Sequence, residues 1–541
     1  MNTIILCGGK IDYVHLPIST NTSNAMVPVN GRPVIGWILE DLIKKKINEA
    51  IIVLRADDHH LYNFLTRVYG NRIKLALKII NESKSILHSL TEGLSEIRGE
   101  GVRVILGDTL ITDSYDRQED FIYAQEVEDS ERWCLVEQDE NHLAVSYIDK
   151  SPGVHHLNMA VCGYYHFTHA SSLKGCIQDS VQNGQTQISH VLTSYQKIHP
   201  VRVVKTSHWL DFGNIDNLIK ARRELLQGRY FNSLSIDPIL NTITKVSEMD
   251  EKLRQELKWY ELIPEKLKVL SPRIISKQEV NGKLHLVQEY YGYPTLAELY
   301  LFSDLTTENW ISILKKLIVL TREFRKFQVE LLPEDMLAVY ATKTFDRLAA
   351  LQSHNQDWKQ ILEAPEISVN GKKLKNISQL ESWVKKRIEK LIKNNNKGSV
   401  IHGDYCFSNI LFDYHSQIIR LIDPRGSFGK PGVYGDPRYD LAKLRHSVVG
   451  LYDYIIADLF ELNALSNSNY RLQVFTNEIP SGLQKVYDGF VAGEGYDNTD
   501  IMFIEALLFL SMLPLHKEKP LRQVVMFLIG ISRLNEIIEC E

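Results

Sequence analysis

The chain has 541 residues, of which 44% are hydrophobic and 24% are charged. These proportions are ordinary for a globular protein with sizeable cores, and they exclude a mainly disordered, collagen-like or low-complexity chain. Lysine and arginine together number 62 against 67 aspartates and glutamates, which gives a formal net charge of −5. A dedicated nucleic-acid binder usually has a basic excess, so we expect no nucleic-acid partner. The length predicts two large domains or several smaller ones.

Three features of the sequence bear on its cellular location. Six cysteines without a Cys-x-x-Cys pair are typical of the reduced thiols of a cytoplasmic protein. The first nine residues, MNTIILCGG, lack a positively charged segment and predict a strand rather than a signal peptide. The longest apolar stretch, 501–514, contains Glu505 and is too short to cross a bilayer. We therefore expect a cytoplasmic protein without a membrane span.

The first half of the chain alternates short apolar runs with segments of helical periodicity. Strands are predicted at 3–7, 50–54, 73–80 and 102–106, and helices at 34–46 and 85–97. This spacing indicates βαβ units in an α/β domain with a mostly parallel sheet. Ligands of such sheets bind at the carboxyl ends of the strands, where the sequence has Gly8-Gly9 and Gly107-Asp108.

A change of pattern marks the predicted domain boundary. Residues 216–227 predict a helix that ends the first domain, and 228–238 predict a connection. After the connection come a strand at 240–246, a helix at 251–262, a strand at 284–290 and long helices beyond 295. We therefore predict two domains, 1–227 and 228–541.

The most specific signal of the chain lies at 399–423. It contains the tripeptide His-Gly-Asp ending at Asp404, then Asn409, and finally Asp423 at the end of an apolar run. Phosphoryl transfer needs one carboxylate to orient or deprotonate the attacking hydroxyl, and an amide and a second carboxylate to hold Mg²⁺ against the phosphates. These three residues have the types and spacing for those roles. The alternative is a β-meander whose polar residues cap its turns.

This segment resembles the catalytic loop of the aminoglycoside phosphotransferase and choline kinase-like family, and the resemblance extends from about residue 230 to the end. It implies a bilobal protein-kinase-like (α+β) domain in which Asp404 is the catalytic base, Asn409 and Asp423 bind Mg²⁺, and His402 braces the loop. The later stretch GSFGKPGVYGDPRYDLAKLRHS resembles kinase-like proteins of bacterial surface-glycan gene clusters.

A kinase of this kind also needs a lysine for ATP, held by a glutamate. Lys245 is on a predicted strand and Glu256 in the helix that follows, so an ion pair between them would direct the lysine at the α- and β-phosphates. The alternative for Lys245 is a solvated lysine on an edge strand. Glu289 and Tyr291 are at the hinge position expected to contact adenine.

The first domain has its own candidate site. Gly8-Gly9 follows a buried strand, where backbone N–H groups can approach phosphates closely, and Lys10 comes next. Asp108 follows the predicted strand 102–106, and Asp211 comes shortly before a predicted helix.

The order of these motifs resembles the sugar-1-phosphate nucleotidyltransferases and their phosphocholine cytidylyltransferase relatives over about residues 1–225. The resemblance implies a Rossmann-like domain, Mg²⁺ bound by Asp108 and Asp211, and a lysine, Lys150, that contacts the phosphate or sugar. The family pattern continues with Gly-Thr-Arg and Pro-Lys, both of which are missing here. Lys10, Arg32 and Arg55 are candidate substitutes, and an inactive transferase domain is the alternative.

Together the two resemblances predict one bifunctional enzyme. ATP would phosphorylate a hydroxyl of a sugar, polyol or amino alcohol, and a second NTP would convert the product into a nucleotide-linked donor for a capsule or another bacterial surface glycan. Two alternatives remain open: a kinase whose N-terminal domain only binds nucleotide, and a non-catalytic nucleotide sensor or scaffold. The complete set of Asp404, Asn409 and Asp423 argues against the last.

Overall fold

The computed structural model describes residues 1–10, 23–150, 158–213, 215–226, 232–248, 250–303, 305–394, 396–466, 468–476 and 479–541. The chain divides into two compact units, one of Met1–Leu225 with Phe302–Asp304 and one of the remaining residues. The boundary that the sequence predicts, between 227 and 228, lies outside the described residues.

The first unit is built on a mixed sheet of nine described strands. Its strands, including two separate two-stranded sheets, are Asn2–Leu6, Pro28–Val29, Arg32–Pro33, Glu49–Arg55, Lys74–Ile80, Val102–Leu106, Thr109–Ile111, Phe121–Glu126, Cys134–Gln138, Ala144–Asp149, Met159–Phe167, Arg202–Lys205 and Trp209–Asp211. Four of them form the parallel centre, in the order Val102–Leu106, Asn2–Leu6, Glu49–Arg55 and Lys74–Ile80.

The central strand Asn2–Leu6 shows why this half of the chain forms a parallel sheet. Ile4 is paired with Ile51 on one side and with Val104 on the other, and all three are buried. A strand covered on both faces is apolar along its whole length, as the sequence is here. The carboxyl ends of these strands, including the glycines after Leu6, therefore meet at one edge of the sheet.

Helices of the first unit cover the sheet. They are Asn24–Met26, Val34–Lys44, His59–Phe64, Leu65–Tyr69, Ile86–Leu94, Ser130–Arg132, Ala170–Gln182, Ile188–Tyr195 and Ile215–Glu224. Leu87, Leu90 and Leu94 project from one face of their helix into the same apolar core as the central strands. Each fully buried leucine contributes roughly 1.5–3 kcal/mol of hydrophobic free energy, so this face fixes the helix on the sheet.

The second unit begins with a four-stranded antiparallel sheet. In spatial order its strands are Asn232–Asp237, Thr242–Ser247, Lys283–Glu289 and Ile274–Val280. The helix Asp250–Leu262 packs on this sheet through Leu253 and Leu257, which contact Leu284 and Leu286. Thr242–Ser247 has neighbours on both sides and is therefore an interior strand.

The rest of the second unit is mainly helical. The helices from residue 250 onward are Asp250–Leu262, Glu265–Leu270, Leu296–Phe302, Thr307–Phe324, Pro333–Leu337, Ala338–Thr342, Lys343–His354, Gln356–Glu363, Ile377–Asn394, Phe407–Asn409, Pro437–Val448, Tyr452–Ile456, Ile479–Gly493, Asn498–Met512, Leu513–His516 and Pro520–Cys540. The remaining strands are Gln328–Glu330, Glu366–Val369, Lys372–Lys375, Lys397–Val400, Ile410–Asp413, Ile418–Leu421, Ser427–Phe428, Lys430–Pro431, Tyr434–Gly435, Phe460–Ser466 and Asn469–Val474.

A loop and a helix of the second unit touch at Gly426. This glycine has a φ of +65°, and a Cβ atom built on it would lie 1.9 Å from the carbonyl oxygen of Gln255 in the helix Asp250–Leu262. Glycine alone tolerates both the left-handed backbone and the direct backbone contact. The loop that follows Asp423 is therefore packed against the turn of helix that carries Glu256.

One segment of the described chain is long and apolar enough to be compared with a membrane span. It runs from Asn498 to His516, and 67% of it is buried inside the fold. The core helix of a globular domain has the same properties, and this one packs on the helices Pro437–Val448 and Pro520–Cys540.

Candidate active sites

Lys245, in the interior strand Thr242–Ser247, contacts two carboxylates, one from the helix Asp250–Leu262 and one that follows the strand Ile418–Leu421. Its Nζ donates hydrogen bonds to Oε2 of Glu256 and to Oδ1 of Asp423, each over 2.7 Å. Burial alone would lower the pKa of Lys245, but the two carboxylates outweigh it and raise that pKa. Lys245 is only 6% exposed, so the solvated edge-strand alternative is wrong.

The loop after the strand Lys397–Val400 holds Asp404. The carboxylate of Asp440 accepts hydrogen bonds from the backbone N–H groups of His402 and Gly403 at 2.7 and 2.8 Å. These two bonds fix the backbone of the loop just before Asp404. His402 is fully buried, and burial lowers its pKa to about 4, so it is neutral at physiological pH. The Nδ2 of Asn409 donates to Oδ2 of Asp404 over 2.9 Å.

Asn409 and Asp423 lie on neighbouring chain segments. The N–H of Ile422 donates to the carbonyl of Asn409 over 3.0 Å, where the antiparallel strands Ile410–Asp413 and Ile418–Leu421 begin and end. An amide oxygen and a carboxylate at such a position are hard oxygen ligands, the type that Mg²⁺ prefers. The donor set therefore fits the divalent cation that the sequence implies.

A cavity of about 300 Å³ lies beside part of this set, and its lining does not include His402 or Asn409. Lys245, Glu256, Asp404 and Asp423 all line it. Glu289 and Tyr291 do not: Glu289 ends its strand, and its carboxylate accepts a hydrogen bond from the Tyr291 hydroxyl over 2.7 Å. Their contact with adenine stays a prediction.

Lys443 is a residue of this site that the sequence did not indicate. It lies on the helix Pro437–Val448, and its Nζ is 2.8 Å from Oδ1 of Asp404. The helix is buried along nearly its whole length in spite of its five charged or histidine side chains. Because the burial of these charges is visible only in the structure, the sequence carries no specific signal for Lys443.

The first unit has a cavity of about 570 Å³ at the carboxyl ends of its central strands. Gly8, Gly9, Lys10 and Asp108 are among the residues that line it. At Gly8 a Cβ atom would lie 2.7 Å from the Oγ of Ser83, so only glycine leaves this backbone open toward the cavity. Both glycines therefore line a cavity at this edge of the sheet, and their binding of a nucleotide stays a prediction.

Asp108 and Asp211 converge beside this cavity. The short antiparallel strands Thr109–Ile111 and Trp209–Asp211 are paired, and the N–H of Phe212 donates to the carbonyl of Asp108 over 3.0 Å. A Cβ atom at Gly213 would lie within 3.8 Å of both carboxylates. Burial and then the Asp108 carboxylate raise the pKa of Asp211 to about 7. A divalent cation between the two would relieve this repulsion, so the donor set fits one.

Two asparagines hold this pair. Asn24 donates to Oδ2 of Asp108 over 3.0 Å, and Asn217 donates to Oδ2 of Asp211 over 2.7 Å. Both were missed in the sequence, where a single asparagine outside a motif gives no specific signal. Lys150 is exposed, and its charge lowers the pKa of both aspartates, though less than burial raises it.

The three candidate substitutes for the missing cations differ in position. Lys10 and Arg55 line the cavity, but both side chains already have partners. Nζ of Lys10 is 3.6 Å from Oδ2 of Asp57, and Nη1 of Arg55 donates to the Gly8 carbonyl over 3.0 Å. Arg32 is not among the residues that line the cavity, and its Nη1 is 3.6 Å from Oε1 of Glu40. Arg32 is therefore not positioned as a substitute in this cavity.

Comparisons with known families agree with this division. Residues 2–228 match the family described as nucleotidyl transferase, and residues 242–458 match the phosphotransferase enzyme family. The chain therefore consists of a nucleotidyltransferase domain followed by a phosphotransferase domain, and it is an enzyme of the transferase class. These matches confirm both family resemblances and the predicted fold class.

Individual relatives are distant and match the first domain. Glucose-1-phosphate thymidylyltransferases of Mycolicibacterium smegmatis and Neisseria gonorrhoeae are 24% and 26% identical, each over 41% of this chain and 81% of the relative. A solved structure of CTP:phosphocholine cytidylyltransferase from Streptococcus pneumoniae is 18% identical over 42% of this chain and 99% of that chain, with a TM-score of 0.36.

Proposed function

We propose that this chain phosphorylates a hydroxyl of a small alcohol with ATP in a domain of residues 228–541. A domain of residues 1–227 then transfers a nucleotidyl group to the new phosphate and releases pyrophosphate. The observation that carries the proposal is the contact of Lys245 with both Glu256 and Asp423. Protein kinases use a lysine paired with a helix glutamate, together with an aspartate that binds Mg²⁺, for phosphoryl transfer from ATP.

In the kinase reaction, Asp404 accepts the proton of the attacking hydroxyl, and Asn409 keeps its carboxylate in place. Lys245 contacts the phosphates of ATP, while Glu256 holds the ammonium group in position. Asn409 and Asp423 would bind Mg²⁺, which supplies positive charge to the transferring phosphoryl group. His402 braces the loop, and Glu289 and Tyr291 form the hinge beside adenine.

In the transferase reaction, Gly8, Gly9 and Lys10 bind the triphosphate of the second NTP. Asp108 and Asp211 would hold Mg²⁺, whose charge stabilises the attack of a phosphate oxygen on the α-phosphorus. Lys150 contacts the phosphate or sugar of the acceptor, which its electrostatic effect on both aspartates supports. Homology to thymidylyltransferases that act on glucose 1-phosphate supports a phosphorylated sugar or polyol as acceptor.

The combined product would be a nucleotide-linked donor for a bacterial surface glycan such as a capsule, made in the cytoplasm. A second candidate function is a kinase whose transferase domain binds nucleotide without turnover. It is favoured by the positions of Arg32, outside the cavity, and of Lys10, beside Asp57.

One experiment separates these candidates. Purified protein is incubated with ATP, each NTP in turn and a panel of sugars, polyols and choline, and the products are identified by mass spectrometry. We expect a phosphorylated alcohol in all successful reactions and its nucleotide adduct with one NTP. A phosphorylated alcohol that no NTP converts supports the second candidate, and neither product from any alcohol contradicts the proposal.

A further inference from the structure

The cavity beside Asp404 contains more positive than negative side chains. Six cations line it, together with three carboxylates. The carboxylates are already engaged, because Glu256 and Asp423 contact Lys245 and Asp404 contacts Lys443. The lining also includes Lys343, Arg347 and Arg425, and none of these three forms an ion pair with a carboxylate among the residues that the structure describes.

Two of these three cations contact one phenol, and the third donates to a backbone carbonyl. Nη1 of Arg425 donates to the hydroxyl of Tyr439 over 2.6 Å, and Nζ of Lys343 donates to the same oxygen over 3.3 Å. Nη1 of Arg347 donates to the carbonyl of Ser511 over 2.6 Å. Neutral acceptors thus orient the three side chains without cancelling their charge.

Burial and neighbouring charges both affect the acidity of these groups. Burial, and then the charge of Arg425, lower the pKa of Lys343 to about 8. Burial would raise the pKa of Tyr439, but Arg425, Lys343 and Lys443 outweigh it and lower that pKa to about 8. Like charges held together away from water are costly unless an anion joins them.

The positively charged group lies next to the proposed base. A Cβ atom at Gly403 would be 2.8 Å from Cβ of Arg425, and the N–H of Arg425 donates to the carbonyl of His402 over 2.9 Å. Arg425 is therefore packed against the residues that immediately precede Asp404. One small molecule could therefore place an anionic group on these cations and its hydroxyl beside Asp404, since all of them line the same cavity.

We infer that the alcohol phosphorylated by this domain carries an anionic group, a carboxylate or a phosphate, which binds to Lys343, Arg347 and Arg425. This inference rests on the proposed kinase function and specifies its substrate class. The hydroxyl oxygen forms a bond to the γ-phosphorus, the bond from that phosphorus to the β–γ bridging oxygen breaks, ADP leaves, and Asp404 takes the hydroxyl proton. Cationic alcohols such as choline would be repelled.

The first test compares matched alcohols with the full-length protein, ATP and Mg²⁺. Glycerol, glycerate, glycerol 3-phosphate and choline form one set, and ribitol, ribonate and ribitol 5-phosphate form another. We expect ADP formation with kcat/KM at least about tenfold higher for an anionic member than for its neutral partner, the effect of one charge-assisted hydrogen bond. The carboxylate and phosphate arms identify which anion is used, and preference for choline or a neutral alcohol would overturn the inference.

Variants then locate the anion. Arg347→Gln and Lys343→Gln should each raise KM for the anionic alcohol about tenfold or more, while KM for ATP stays unchanged. The exposed Lys252 lines the same cavity, and Lys252→Gln is the matched control with little effect. If the variants raise KM for ATP instead, the cations bind the nucleotide and the inference is wrong.

A binding measurement covers the case in which the panel contains no substrate. Sulfate is titrated calorimetrically into protein that holds the unhydrolysable ATP analogue AMP-PNP with Mg²⁺. We expect saturable binding that Arg347→Gln weakens about tenfold. Absence of binding would overturn the anion site, whereas sulfate binding without any phosphorylation or ATP hydrolysis would support the site and contradict the kinase function.

Discussion

The Nζ of Lys443 lies 2.8 Å from Oδ1 of Asp404, so a buried lysine holds the carboxylate that we propose as the catalytic base. Burial alone would lower the pKa of Lys443, but Asp404 outweighs it and raises that pKa. The pair fixes the direction of the Asp404 carboxylate. It also means that Asp404 cannot be changed without leaving a buried ammonium group behind.

Replacement of this carboxylate should therefore affect both activity and stability. We expect Asp404→Asn to lower the rate of ADP formation by about 10²–10⁴-fold, the usual effect of losing a general base. Because Lys443 loses its partner, the variant should also lose about 1–3 kcal/mol of unfolding free energy, measured by chemical denaturation.

The double variant Asp404→Asn with Lys443→Met is the control for the second effect. It should recover part of the stability, since no charge is then left unpaired, while activity stays lost. More than about a tenth of the wild-type rate in Asp404→Asn would contradict its role as the base.

Lys245 should be required for the kinase reaction alone. We expect Lys245→Met to lower kcat/KM for ATP by about 10²-fold or more, because a positive group directed at the phosphates is lost. Glu256→Gln keeps a hydrogen-bond acceptor for Lys245 and should have a smaller effect. Pyrophosphate release from an NTP and a phosphorylated acceptor is the internal control and should not change. Unaltered ATP kinetics in Lys245→Met would rule out the proposed contact.

The two aspartates of the first domain should behave as one unit. Asp108→Asn and Asp211→Asn should each abolish pyrophosphate release, and the double variant should lose little more, because both residues would serve a single ion. Phosphorylation of the alcohol should continue in all three variants. Mg²⁺ should raise the thermal unfolding temperature of the wild-type transferase domain and have less effect on either variant. Additive losses would argue against a shared ion.

His166 predicts a pH effect on stability that is independent of either active site. It is 1% exposed and stacks on Phe121 with ring centroids 4.8 Å apart, and neither ring nitrogen has a hydrogen-bond partner among the residues described. Burial, and then the charge of Arg103, lower its pKa to about 4. Below the unfolded value near 6.5, the unfolded state therefore binds a proton that the folded state does not, and stability falls as the pH drops.

We expect His166→Phe to remove this contribution. Between about pH 6.5 and 4, the free energy of unfolding of the first domain should fall less steeply with decreasing pH in the variant than in the wild type. The difference in slope should be up to about 1.4 kcal/mol per pH unit. Between pH 7 and 8 the histidine is neutral in both states, so there the difference between the proteins should be constant. Parallel curves at acidic pH would refute the explanation.

The sequence predicted the elements that carry the strongest periodicity. The strands around Ile4 and Val104 were expected within one or two residues, because strands buried on both faces are continuous apolar runs. The strand expected from Leu240 instead begins at Thr242, since Asn241 has a φ of +53° in the turn before it. Turn geometry of this kind depends on single residues and leaves little trace in periodicity.

Within the candidate sites, residues belonging to local motifs were predictable and residues brought in by the fold were not. Asp404 and Asn409 are five positions apart on one loop, so their spacing alone suggested a joint role. Lys443 reaches Asp404 from a separate helix, and Asn24 reaches Asp108 from a different loop. Only tertiary structure sets those distances, so no local pattern could reveal them.

The contact at Gly426 constrains how this kinase domain can be regulated. Many switching mechanisms depend on a helix that swings outward and withdraws the glutamate from its lysine. Here the backbone of the loop that follows Asp423 lies directly on the backbone of the helix that bears Glu256, without an intervening side chain that could adjust. An outward swing of the helix alone would break this contact, so we expect loop and helix to move together. Control of this activity would then operate through access of its substrates, with the catalytic groups permanently assembled.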